Sequence, residues 1–149
     1  MRTKKSSPAP RGLEEYQAKR TFESTPEPPP AAVSARSGPL LFVVQQHAAR
    51  RLHYDFRIEA EGVLKSWAVP KGPSLNPADK RLAIRTEDHP IEYATFTGSI
   101  PEGNYGAGEV RMFDTGTYEI VEREGKKLTV RLEGERVRGI YHLVHFEDQ

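Results

Sequence analysis

From Leu40 onward, apolar positions fall in short runs with the two-residue period of strands. Leu41-Phe42-Val43-Val44 is β-branched and aromatic, and Leu52 to Ile58 alternates strictly. Val63–Val69, Leu82–Ile84, Val110–Phe113, Thr117–Val121, Leu128–Leu132 and Ile140–Phe146 follow the same habit. Turn-forming residues punctuate them: Glu61-Gly62, Lys71-Gly72-Pro73, Pro101 to Asn104, Asp114-Thr115-Gly116 and Glu124-Gly125. No amphipathic helical period and no internal repeat follow residue 40. The pattern predicts an all-β fold, a compact single-domain β-barrel over residues 40–149 with only short helical or 3₁₀ pieces.

Residues 1–39 read differently. They hold Pro8, Pro10, Pro26, Pro28, Pro29, Pro30 and Pro39 and little that could be buried. Such a segment cannot offset its ordering entropy with a core, so it predicts an extended, partly mobile arm. One island, Gly12 to Phe22, carries Leu13, Tyr16 and Glu14/Glu15 ahead of Lys19/Arg20. It suits a short helix or a docking segment with some ordered contacts.

Strand alternation divides Leu52–Ile58 between two faces. Leu52, Tyr54, Phe56 and Ile58 fall on one, the predicted core face. His53, Asp55 and Arg57 fall on the other, spaced roughly 7 Å apart. An antiparallel strand with one solvated face would look the same. His47 adds to the picture, because the loop Ala48 to Arg51 is short enough to bring it back against His53. His47, His53 and Asp55 would then form a two-imidazole, one-carboxylate set for a divalent transition metal with open positions. Arg57 beside it offers a planar fork for phosphate oxygens.

Other candidates are weaker. His89, in Glu87-Asp88-His89-Pro90, reads as a loop residue, with Tyr93 four positions on. His142 and His145 read as surface strand residues. The Gly-rich stretch Pro101 to Gly108 reads as a tight loop entering a strand rather than a phosphate cradle, because no helix follows it.

Composition narrows the classes. The chain has 149 residues, a length for one domain, and no cysteine. Disulfide frameworks, thiolate metal sites and cysteine nucleophiles are excluded. No run approaches a membrane span, and the basic N-terminus lacks the apolar stretch of a secretory signal, so the expectation is a soluble, cytoplasmic monomer with no membrane partner. Twenty-two Lys and Arg balance 21 Asp and Glu, for a net charge of +1. Any nucleic-acid contact must therefore come from local charge placement.

The run His47 to Arg57 (HAARRLHYDFR) resembles the signature of the 3′-phosphoesterase domain of bacterial ligase D and its free-standing homologues. The likeness continues through Leu64 to Pro73, Glu87 to Pro90, Tyr93 and Ile100 to Gly108, and covers most of residues 13–145. It implies a β-barrel enzyme that heals DNA ends during non-homologous end joining, using Mn²⁺. A 3′-terminal ribonucleoside would be removed first with help from a ribose 2′-hydroxyl, then the remaining 3′-phosphate, leaving a ligatable 3′-hydroxyl. By the same resemblance His47, His53 and Asp55 match the metal ligands, Arg57 and His89 the phosphate grip, and Tyr93 a further site position. Gln45, Lys71, Arg81 and Glu87 match supporting polar residues, and Arg20 and Glu27 match arm positions of the diester step. Thr21 stands where the family commonly has Asp. Within this frame His89 is the candidate general acid.

Two imidazoles would also accept Zn²⁺, Fe²⁺ or Co²⁺. The implied partners are DNA or RNA-tipped primer-template 3′ ends, with ligase, polymerase and Ku proteins in trans, near the nucleoid. Two other classes fit parts of the pattern. One is an Fe(II)/2-oxoglutarate oxygenase, with Arg131, Arg136 or Arg138 as the oxoacid partner. The other is a non-catalytic nucleic-acid-binding barrel using Arg50, Arg51, Lys71, Lys80, Arg81 and Arg85.

Overall fold

The structure, a computed structural model, describes residues 13–30 and 38–145. Eight strands form one sheet: β1 (Leu40–Ala48), β2 (Leu52–Ala60), β3 (Val63–Val69), β4 (Ile84–Pro90), β5 (Gly98–Ile100), β6 (Gly108–Glu124), β7 (Lys127–Gly134) and β8 (Arg138–Val144). A short helix, α1 (Glu14–Ala18), precedes them, and a 3₁₀ segment, Ile91–Thr95, follows β4. All pairings are antiparallel, in the order β4-β3-β2-β1-β6-β7-β8, with β5 added against the start of β6.

The all-β architecture is as the alternation predicts. The barrel, however, is not closed: the path ends at β4 on one side and β8 on the other, with no hydrogen-bonded pairing between them among the described residues. The ends meet through a loop instead, where the Tyr141 hydroxyl donates to the Ser74 carbonyl oxygen at 3.0 Å.

Apolar clusters lie on both faces of the sheet. One core gathers Phe42, Val44, Phe56 and Ile58 from β1 and β2 with Tyr118, Val130 and Leu132 from β6 and β7 and Val137. Trp67 of β3 and Tyr141 and Leu143 of β8, from near opposite ends of the sheet path, pack against the same cluster, so the sheet curls around it. The opposite face carries a second core of Val43 from β1, Leu64 from β3 and Val110 from β6, covered by Tyr16 of α1 and by Tyr93, Ala94 and Phe96. Within the Gly12–Phe22 island, α1 is thus docked, and Leu13 and Tyr16 are fully enclosed. Pro8, Pro10 and the stretch 31–37 lie outside the described residues, as does Phe146.

Several local expectations change. Leu52, placed with the core face, is exposed at the hairpin end of β2. The Leu82–Ile84 strand moves forward to Ile84–Pro90, Leu82 is exposed, and His89 sits in the strand rather than in a loop. The polar run Arg85 to His89 forms a strand because its alternating side chains find separate partners. Arg85 and Asp88 pair with each other at 2.7 Å, while Glu87 and His89 turn toward the second core.

Asp114-Thr115-Gly116 does not turn the chain; it lies within the 17-residue strand β6. The Asp114 carboxylate accepts backbone N–H bonds from Glu135, Arg136 and Val137, closing the β7–β8 turn instead of its own. Gly116 is required there because any Cβ would run into the Glu133 carbonyl.

Candidate metal and phosphate site

The β1–β2 hairpin sets His47 directly opposite His53, and Gln45 opposite Asp55. Strand pleating then projects His47, His53, Asp55 and Arg57 from one face. His47, Asp55 and Arg57 are buried and His53 is half-buried, so this is not a solvated strand face.

Each histidine is tethered by one ring nitrogen and aimed by the other. His47 Nε2 lies 2.7 Å from the Gly106 carbonyl oxygen, and His53 Nδ1 lies 3.2 Å from that of Arg51. With those nitrogens donating to carbonyls, His47 Nδ1 and His53 Nε2 face the Asp55 carboxylate at 3.4 and 3.1 Å, as hydrogen-bond donors to it when they carry a proton and as lone-pair ligands when a cation takes the proton's place. The three ligand atoms lie within 4.8 Å of one another. Backbone carbonyls that fix the tautomer of metal-binding imidazoles are the expected outer support of such a site. The donor set of two imidazoles and one carboxylate fits a divalent transition metal.

Burial alone would raise the Asp55 pKa. The Arg57 guanidinium, with hydrogen bonds from His47 and His53, outweighs it and holds the carboxyl well below the usual range. The same hydrogen bond to Asp55 raises the pKa of His53.

Arg57 links this set to the rest of the face. Its Nη2 lies 3.4 Å from Asp55, its Nε donates to Gln45 Oε1 at 2.7 Å, and its Nη1 lies 3.2 Å from His89 Nδ1. The guanidinium also sits 4.9 Å over the Tyr93 ring. Gln45 in turn donates to the Tyr93 and Phe96 carbonyl oxygens, which ties the 3₁₀ segment to β1. His89 is enclosed between the rings of Tyr16 and Tyr93, at 4.9 and 4.6 Å. Burial, then the positive charges of Arg57 and Arg20, push its pKa well down, so the ring is neutral in this state.

Residues 13–30 supply the third layer. Arg20 Nε donates to Glu27 at 3.0 Å and its Nη1 to Glu87 at 3.2 Å. The Tyr93 hydroxyl donates to Glu27 at 2.6 Å, and Lys19 Nζ reaches Glu87 at 3.1 Å. Burial raises the Tyr93 pKa, so its hydroxyl stays protonated as this donor. Thr21, at the family's Asp position, is exposed, and its carbonyl caps a turn with Ser24.

Gln45, His47, His53, Asp55, Arg57, Glu87, His89, Tyr93, Arg20 and Glu27 thus form one connected network. Lys71 and Arg81 do not join it. Both are exposed near the β3–β4 connection, with Arg81 bonded to the Gly72 carbonyl and to Asp79. His142 pairs with Thr129 on β7 and lies outside the network. Arg131 and Arg138 pair with Glu119 and Glu133, and Arg136 covers Phe113, so none of the three meets the histidines as an oxoacid partner would have to.

The structure also adds members that the strand period does not reveal. The Gly106 carbonyl is aimed at His47 by a backbone with φ +78, which glycine adopts without strain. Lys19 and Tyr16 come from an island whose polar–apolar pattern indicates docking but not its target.

The sequence pattern of the DNA ligase D 3′-phosphoesterase domain matches residues 45–145. The chain is 51% identical over 143 residues to the multifunctional non-homologous end joining protein LigD of Pseudomonas aeruginosa, covering 92% of this chain and 17% of that one. It is 48% identical over 136 residues to the multifunctional non-homologous end joining DNA repair protein LigD of Mycobacterium tuberculosis, covering 89% and 18%. To LigD of Mycolicibacterium smegmatis it is 44% identical over 143 residues, covering 89% and 19%. The chain therefore spans less than a fifth of the length of these relatives.

Proposed function

Because the chain belongs to the DNA ligase D 3′-phosphoesterase domain family, we propose that it is a metal-dependent phosphoesterase that heals 3′ ends for non-homologous end joining. Its substrates are DNA or RNA-tipped primer-template ends. In the diester step, the bond between phosphorus and the 5′ oxygen of a terminal ribonucleoside breaks. Water supplies the incoming oxygen, and a proton finishes on the departing 5′-hydroxyl. In the monoester step a second water supplies the oxygen that bonds to phosphorus, the bond from phosphorus to the 3′ oxygen breaks, and a proton finishes on that oxygen, releasing inorganic phosphate and leaving a 3′-hydroxyl. Ligase, polymerase and Ku are the proposed partners. No helix among the described residues is long and apolar enough to cross a membrane.

The observation that carries this reading is the pair of carbonyl-tethered imidazoles facing Asp55 beside a buried guanidinium. His47 Nδ1, His53 Nε2 and an Asp55 oxygen would hold the cation. Mn²⁺ is proposed because a phosphoester offers hard oxygens. A divalent ion bound there supplies Lewis acidity and an activated water. Arg57 is already oriented by Asp55 and Gln45, and its planar fork is the group suited to gripping phosphate oxygens.

His89 donates a hydrogen bond to the same phosphate. A substrate dianion beside it would offset Arg57 and Arg20, raise its proton affinity and let it protonate the departing oxygen. Lys71 and Arg81 fit a role in holding the strand rather than the reacting phosphate, since both stand exposed.

The test is an oligonucleotide ending in a 3′-phosphate, incubated with the protein and Mn²⁺ or with chelator. Phosphate is released only with the metal. Strand binding without phosphate release in either condition overturns the reading and leaves a non-catalytic nucleic-acid module. An RNA-tipped primer, followed as its two shortened products, tests the order of steps. pH–rate limbs that persist unchanged in His89→Ala remove the acid role.

A further inference from the structure

We propose that Tyr105 is a stacking platform for a nucleobase of the substrate end, an inference that rests on the phosphoesterase reading above. Tyr105 is the sole aromatic residue among the large hydrophobic side chains exposed in the described residues, at 49% exposure. Its place is specific. It directly precedes Gly106, whose carbonyl oxygen tethers His47, so its Cα stands about 3.8 Å from that of a residue touching the ligand set.

The ring is also held. Lys19 Nζ reaches the Tyr105 hydroxyl at 3.4 Å and lies 4.6 Å from the ring centroid, while the Arg20 guanidinium lies 5.4 Å from it. Nearby, Ser24 and Asn104 exchange two bonds, Ser24 Oγ to Asn104 Oδ1 at 2.9 Å and Asn104 Nδ2 to the Ser24 carbonyl at 3.2 Å. The loop is thereby pinned to residues 19–24. An aromatic plane fixed by cations, open to solvent and adjacent to a metal and phosphate site has the features of a base-stacking surface. Stacking reads only the π-face that every base shares. An enzyme that must accept any broken end needs that tolerance.

Two nucleobases could occupy the ring: the one on the nucleotide that carries the scissile phosphate, or the one on the departing ribonucleoside. The test uses 2-aminopurine at either position in a Mn²⁺-free binding titration, together with steady-state kinetics on 3′-phosphate ends that have or lack the terminal base. Fluorescence quenching at one position, lost in Tyr105→Ala and kept in Tyr105→Trp, identifies the stacked base. If that base is on the phosphate-bearing nucleotide, Tyr105→Ala raises KM roughly 5- to 100-fold on the base-bearing end. The penalty disappears on the abasic end. If the departing base is the one stacked, the same KM increase is read on the RNA-tipped primer instead.

Equal quenching in wild type and Tyr105→Ala at both positions overturns the proposal. So does a KM penalty that persists on abasic ends, or a loss confined to kcat. Tyr105→Phe, which removes only the hydroxyl, keeps the ring if Ala perturbs the loop, and a thermal melt of each variant reports folding. A wild-type protein inert on every end overturns the phosphoesterase reading itself. An active wild type with an indifferent Tyr105→Ala overturns the stacking alone.

Discussion

Arg20 Nη1 lies 3.2 Å from Glu87 Oε2, joining the arm to β4 across 67 residues of chain. The same guanidinium donates from Nε to Glu27 and packs 4.0 Å over the Tyr16 ring. Both carboxylates and the guanidinium are nearly withdrawn from solvent, with side-chain exposures of 4% for Arg20, 0% for Glu27 and 3% for Glu87. At this depth each partner depends on the other, because an unpaired buried charge costs far more than the pair contributes.

Arg20→Ala should therefore destabilise the protein by about 3–5 kcal/mol, since it leaves Glu87 with Lys19 as its one cationic partner and Glu27 with only the Tyr93 and Thr25 hydroxyls among the described side chains. Arg20→Ala combined with Glu27→Ala should cost less than the sum of the two single changes. Urea unfolding of all four proteins measures the coupling. Strict additivity would show that the arm docks through Leu13 and Tyr16 alone.

Tyr93→Phe isolates one contact. The ring stays, so its stacking with Arg57 and His89 stays, while the 2.6 Å donor to Glu27 is lost. The freed carboxylate oxygen keeps its bond from Arg20. A loss of about 1–3 kcal/mol follows for one unmet buried charge-assisted bond. A melting temperature equal to wild type would place water at Glu27 and count against the buried network.

Much of this site is legible in the residues themselves. Alternation over Leu52–Ile58 puts His53, Asp55 and Arg57 on one face, and a short hairpin loop returns His47 to them. Both inferences need only the strand period and a loop length. What the period cannot show is that this face is covered. The cover comes from Tyr16, Arg20 and Glu27, distant in sequence and contained in a Pro-rich segment that lacks any extended apolar pattern. His89 is missed as a strand residue for a related reason. Strand formation at Arg85–His89 is driven by pairing with β3 and by ionic partners rather than by apolar alternation. Asp114-Thr115-Gly116 misleads in the opposite direction, because Asp and Gly serve a neighbouring turn and a close strand approach with the same chemistry that would turn the chain. Open rather than closed ends are equally hidden, since each strand carries its own alternation whether or not the last one pairs with the first.

The outer support of the metal set gives a test that leaves every ligand in place. A Cβ at Gly106 would stand 3.4 Å from His47 Cε1, and the φ of +78 there is strained for any L side chain. Gly106→Ala should shift the carbonyl that holds His47 and weaken Mn²⁺ binding about 10- to 100-fold, the usual penalty for disturbing an outer-shell partner. Electron paramagnetic resonance of free Mn²⁺ in a titration reads this directly. His47→Ala, His53→Ala and Asp55→Ala should each abolish binding and phosphate release together, as each removes one of the three ligating side chains grouped among the described residues. Full wild-type Mn²⁺ affinity in Gly106→Ala would mean that the His47 tether carries no part of the site's order.

Away from the site, Asp114 predicts an acid limb of stability. Burial opposes its charge, but the N–H groups of Val137, Arg136, Glu135 and Thr115 all converge on the carboxylate and lower its pKa below the ordinary range of an aspartate. A carboxyl depressed on folding contributes stability above its unfolded pKa, and loses that contribution as pH falls through the folded value. Asp114→Asn removes the charge while keeping one acceptor oxygen for this turn. Near neutrality the variant should unfold at lower urea than wild type, by about 1–3 kcal/mol for lost charge-assisted bonds. Below about pH 4, where the wild-type carboxyl begins to take up its proton in the unfolded chain, the gap between the two proteins should narrow. Urea midpoints collected from neutral pH down to about pH 3 follow that convergence, because a proton on Asp114 makes the wild-type side chain as neutral as the asparagine. A gap that stays constant over the range would show that the β7–β8 turn is held by its backbone pairing and not by the carboxylate.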